Sequence, residues 1–85
     1  MSDALEHGVK LFASVREAVG RDVVGVQLAE GARVADLMEA LGQTHPAIEA
    51  QRRVLAVAVN HEIVRAERVL VAGDEVALIP PVGGG

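Results

Sequence analysis

The chain has 85 residues, which suits one small domain near the size at which a single core is only just sufficient. Apolar residues make up 51% of it with Phe12 as the only aromatic, so burial must rest on Val, Leu, Ile and Ala packed tightly between elements. A formal net charge of -4 with no basic run argues against nucleic acid as a partner, and zero cysteines rule out disulfides, cysteine-ligated metal and thiol catalysis.

In chain order, Met1 to His7 is too acidic and too poor in apolar residues for a signal peptide and reads as a tail. Gly8 to Phe12 alternates apolar and polar residues and predicts a first strand, set centrally in its sheet. Ser14-Val-Arg-Glu17 matches the Ser-x-x-Glu capping box and opens a short helix with Val15, Ala18 and Val19 as its apolar stripe and Gly20 as its end. After an Arg21-Asp22 turn, Val24, Val26 and Leu28 recur with period two, predicting a strand over 23–28. Val34, Leu37, Met38 and Leu41 then fall at i, i+3, i+4 and i+7, the spacing of one face of the main helix. Arg33 is a weak N-cap, Asp36 suits the positive end of the helix dipole, and Gly42 followed by Pro46 marks the end. Thr44 to Arg53 reads as a loop with one further helical turn. Val54 to Val59 is nearly continuous apolar sequence and predicts a strand buried along most of its length, with Ile63-Val64 and Val69-Leu70 as short edge pieces. Ala72-Gly-Asp74 is turn chemistry leading into a last strand, Glu75 to Ile79.

That strand runs into Pro80-Pro-Val-Gly-Gly-Gly85. Two prolines cannot donate ladder hydrogen bonds and favour an extended backbone, so pairing stops there and residues 80–85 form a tether of roughly 20 Å. Glycines without side chains make its end thin enough to thread a narrow channel and let a nucleotide approach the terminal carboxylate. A frayed, meaningless terminus is the competing reading.

The order of elements is α+β, one amphipathic helix lying across a mixed sheet, consistent with a ubiquitin-like β-grasp. A ferredoxin-like split βαβ is the alternative, but it needs a second full helix that residues 44–53 supply poorly. The chain is read as a single domain, 1–85, with a folded body over 8–79 and an extended tail over 80–85. His7, His45 and His61 read as surface histidines without ligand spacing, and Arg52-Arg53 as a solvated pair. Phe12, Ile63 and Ile79 are core by default, although a sheet covered by one helix leaves a face on which apolar residues form a docking patch.

Val9-Lys-Leu-Phe-Ala-Ser-Val-Arg-Glu-Ala-Val-Gly20, Ala56-Val-Ala-Val-Asn60, Gly73-Asp-Glu-Val76 and Ile79-Pro-Pro-Val-Gly-Gly-Gly85 resemble the small subunit of molybdopterin synthase, the MoaD-type sulfur carriers. The likeness spans almost the whole chain, departing from the pattern at Gly83, where Ser or Thr is common, and at Leu78-Ile79, where aromatics are. It implies a β-grasp whose terminal Gly84-Gly85 is adenylated, converted to a thiocarboxylate on Gly85 and inserted into a large subunit, where the sulfur passes to a cyclic pterin precursor. The implied partners are that large subunit, an adenylating E1-like activating enzyme that uses ATP, and a sulfur donor. No stably bound cofactor and no metal is implied; from the composition, nucleic acid is not expected, no run is long enough to cross a bilayer, and a cytoplasmic location is expected by default. Gly85 and Gly84 are thus the candidate reactive end. Phe12, Arg16, Ile63, Ile79, Pro80, Pro81, Val82 and Gly83 are the candidate partner contacts. With no Gly-x-x-x-x-Gly-Lys loop of its own, the chain must be activated by another protein. A thiamine-type carrier, a ubiquitin-like modifier passing Gly85 to a lysine, and a plain interaction domain with an inert tail are the other readings.

Overall fold

The computed structural model describes residues 4–81. The first strand, β1, runs Ala4–Leu11 and pairs antiparallel with β2, Val23–Ala29, in an unbroken register from Ala4↔Ala29 to Lys10↔Val23. It starts earlier than Gly8 because the inward alternation already includes Leu5 and His7 ahead of Val9 and Leu11. The folded body therefore includes Ala4 to His7, and His7, at 3% exposure, is a buried strand residue and no tail histidine.

Between these strands lies α1, Ala13–Val19. Its N-cap is Phe12, which offers no side-chain cap, and the expected Ser14–Glu17 capping box does not form. Ser14 Oγ instead donates to Gln51 Oε1 at 3.2 Å. Gly20 ends the helix as expected, with φ 84° and its N–H bonded to the Arg16 carbonyl at 2.8 Å.

The main helix, α2, covers Val34–Thr44 and buries Val34, Leu37, Met38 and Leu41. At its start the Asp36 carboxylate accepts the Arg33 N–H at 2.8 Å, satisfying a backbone donor that Arg33 itself has no acceptor to help. Gly42 does not end it. The helix continues to Thr44, with the Glu49 side chain lying where a Cβ on Gly42 would stand, and stops before Pro46. Pro46 then opens α3, Pro46–Gln51, followed by a 3-10 turn over Arg52–Val54. The segment read as mostly loop is thus largely helical, anchored by the fully buried Ile48. Arg52 is likewise more than a solvated residue, reaching Glu39 at 3.3 Å and Glu49 at 3.4 Å.

The remaining strands are β3, Ala56–Val59, β4, Glu62–Val64, and β5, Val76–Ile79. Val54 is exposed in the 3-10 turn and outside β3, while Val69 makes only an isolated bridge to Arg33. Strand order is β2-β1-β5-β3-β4, with β1 and β5 parallel and every other pair antiparallel. This is the α+β, β-grasp arrangement expected from the sequence, with β1 interior between β2 and β5. Inward residues of all the long strands meet α2, Val15, Ile48 and Leu70 in one core. Pro80 is buried, so the body extends through it rather than stopping at Ile79, and Pro81 is exposed. Val82, Gly83, Gly84 and Gly85 lie outside the described residues.

Candidate functional site

Period-two alternation sends every second strand residue away from the core, and the register lines those residues up. Val23, Lys10, Ala77, Ala58 and Ile63 are consecutive partners across all five strands, on the face that α2 leaves open. Two small residues stand at the middle of this row, Ala77 and Ala58, and larger ones rise around them. The result is a shallow groove of about 340 Å³, lined by Phe12, Ile63 and Ile79 as apolar walls and by Lys10, His61 and Glu75 along its polar side. Phe12, Ile63 and Ile79 are 44%, 65% and 37% exposed. The reading of these three as core by default is therefore corrected: each sits at an outward register position or just past a strand end.

The polar side is fixed by local backbone chemistry. Asn60 and His61 form the β3–β4 hairpin turn with φ 53° and 72°, the left-handed values that a tight two-residue hairpin demands. Asn60 Oδ1 accepts the Glu75 N–H at 3.0 Å and its Nδ2 donates to Asp74 Oδ1 at 3.0 Å. Glu75 in turn accepts from Lys10 Nζ at 2.7 Å and stands 3.6 Å from His61 Nε2. The Lys10 hydrogen bond, with the charges of Lys10 and His61 behind it, holds the Glu75 carboxyl below the usual carboxylate range. Desolvation pushes the Asp74 carboxyl upward, but the bonds from the Val71 N–H and the Asn60 amide outweigh it and the net displacement is downward.

Arg16 is exposed on α1, 3.9 Å from Asp22, beside a second hollow of about 220 Å³ that shares Lys10 and Phe12 with the groove. The structure thus brings Phe12, Arg16, Ile63 and Ile79 onto one continuous surface. Pro80, being buried, is not part of it, and the four residues after Pro81 are not described. Sequence reasoning missed Lys10, Ala58, His61, Glu75 and Ala77. Alternation carried the signal for Lys10, whereas Ala58, itself only 6% exposed, and Ala77 lie in nearly continuous apolar strands that show no such period.

Comparison with known proteins matches residues 9–85 to the ThiS family. The molybdopterin synthase sulfur carrier subunit of Escherichia coli is 42% identical, covering 91% of this chain and 96% of that protein. The one of Chlamydomonas reinhardtii is 38% identical, covering 91% and 95%. The crystal structure of SAMP1 from Haloferax volcanii superposes with a TM-score of 0.81 at 36% identity, over 94% of this chain and 99% of that one. With the family matched over nearly its whole length and the fold shared, this chain belongs to the ThiS family.

Proposed function

We infer that the chain is the sulfur carrier subunit of a molybdopterin synthase, working in the cytoplasm. The observation that carries this reading is the course of one strand. β5 gives Ala77 and Ile79 to the groove and leads through Pro80 to Pro81 and the glycine end, so a partner seated on the open face lies against the strand from which residues 80–85 continue. Similarity to sulfur carrier subunits over nine tenths of the chain supports the same assignment.

The chemistry is that of an unreactive acid made reactive by others. A carboxylate is a poor electrophile, so an activating enzyme joins the Gly85 carboxylate to the adenylyl group of ATP and releases pyrophosphate. A sulfur donor then displaces AMP, leaving a thiocarboxylate. Its sulfur passes to a cyclic pterin precursor held by the large subunit. Sulfur travels bound to the carbonyl carbon of Gly85, which is how a carrier without cysteine performs this work.

The likeness to SAMP1, a small archaeal modifier protein, favours a second reading in which activated Gly85 is passed to a lysine amine of another protein. Intact mass after incubation with the cognate activating enzyme, ATP and a sulfur donor separates the two. Replacement of one oxygen by sulfur supports the carrier; conjugates on other chains support the modifier; no change in mass contradicts both.

A further inference from the structure

Lys10 is the only lysine of the chain, and it stands within the apolar row of the open face, between Val23 and Ala77. Its neighbours in register are aliphatic, and an aliphatic residue at this position would extend the apolar surface from Phe12 across to Val23. The ammonium is nevertheless held in place, 2.7 Å from a Glu75 carboxylate whose backbone is itself pinned by Asn60. His61 approaches the other oxygen of the same carboxylate at 3.6 Å, on a left-handed backbone that glycine or asparagine adopts more readily than histidine.

An ammonium has three donors, and one is taken by Glu75. Among the described residues no other acceptor is recorded for Lys10, and its half-exposed side chain leaves the remaining two open to solvent. A partner that covers the groove with a purely apolar surface strips that solvent and leaves donors on a buried charge unmet, which opposes binding. A partner that brings an acceptor beside its apolar contact escapes this penalty, and a charged acceptor makes the stronger bond. The ion pair therefore discriminates by excluding as well as by attracting.

We propose that Lys10 is the specificity-determining residue of the docking face, selecting a partner that seats an apolar side chain over Ala58 and Ala77 and places a carboxylate against the free donors of Lys10. The partner is the large subunit, and to that extent the assignment rests on the sulfur-carrier reading. Glu75 is a positioning residue, fixing where the ammonium points, and His61 closes the polar side of the groove.

Calorimetric binding to the cognate large subunit from low to high salt tests this. Lys10→Met keeps the apolar stem and removes the charge; it binds at least about tenfold more weakly than the parent, with a flatter salt dependence. The double variant Lys10→Glu with Glu75→Lys keeps an ion pair on the face but sets a negative charge against the partner's carboxylate, and it binds more weakly still. Thermal unfolding of each variant confirms that the body is intact. Lys10→Met binding as tightly as the parent, or the reversed pair binding like the parent, overturns the proposal. Failure of the parent itself to bind the large subunit is a different result, and it removes the sulfur-carrier reading together with this partner.

Discussion

Asn60 and Glu75 are joined twice: the Asn60 N–H donates to the Glu75 carbonyl at 2.8 Å, and the Glu75 N–H donates to Asn60 Oδ1 at 3.0 Å. One amide thus ties the β3–β4 turn to the start of β5 and sets the polar side of the docking groove. Asn60→Ala removes this bond and the one to Asp74, and asks alanine to hold φ 53°. A loss of about 1 to 3 kcal/mol is expected in urea unfolding. Asn60→Gly, which tolerates the backbone but lacks the amide, falls between the two. An unchanged midpoint in Asn60→Ala contradicts the staple.

Leu37 is fully buried on α2 at the centre of its apolar face. Leu37→Ala leaves a cavity between helix and sheet and is expected to cost about 2 to 5 kcal/mol, read from the shift in the denaturant midpoint. Outward-facing Ile63→Ala, at 65% exposure, barely moves the same midpoint while weakening partner binding.

Acid stability follows from Asp74 and Glu75. Both carboxyls are held below the ordinary range in the folded protein, so the native state prefers their ionised forms. Their contribution is complete above the unfolded carboxylate range, at about pH 4, and is lost as the pH falls through it and below. Asp74→Asn is therefore expected to be less stable than the parent at neutral pH but to lose less on acidification, measured as urea midpoints at neutral pH and at about pH 3. Parallel losses in the two proteins contradict this.

Ala13, the first residue of α1, has φ 50°, a left-handed value that turns the chain out of β1 and leaves Phe12 on the open face. That conformation costs an L-residue about 1 kcal/mol, close to what glycine loses in entropy. Ala13→Gly is expected to leave the unfolding midpoint within about 0.5 kcal/mol of the parent, whereas Ala18→Gly, on the same helix in ordinary geometry, costs about 1 kcal/mol. Equal losses at the two positions contradict the strain.

Much of the fold was legible where a single period dominates. The α2 stripe and the period-two run of β2 each report one buried face, so periodicity found them. α3 was hidden because Ile48 alone carries its burial, and one apolar residue has no period. Gly42 misled because glycine ends a helix only where a left-handed residue is needed, and here the chain stays helical under the Glu49 side chain. A docking patch on the uncovered sheet face, with Phe12, Ile63 and Ile79 among its candidate contacts, was legible, but the groove they share with Lys10 and Glu75 was not, since only the β1–β5 and β3–β5 registers bring these residues together. Lys10 and Glu75, 65 positions apart, meet through the same pairing.

The most direct test of the account is a single turnover with the thiocarboxylated chain, the cognate large subunit and the cyclic pterin precursor, following the carrier by intact mass. The account predicts that two thiocarboxylated chains revert to the carboxylate for each precursor converted to its two-sulfur dithiolene product, that a chain lacking Gly85 never acquires sulfur, and that Gly84→Val acquires it but fails to deliver it. A thiocarboxylate that persists unchanged beside the large subunit and the precursor, or that is consumed only by joining other proteins, contradicts it.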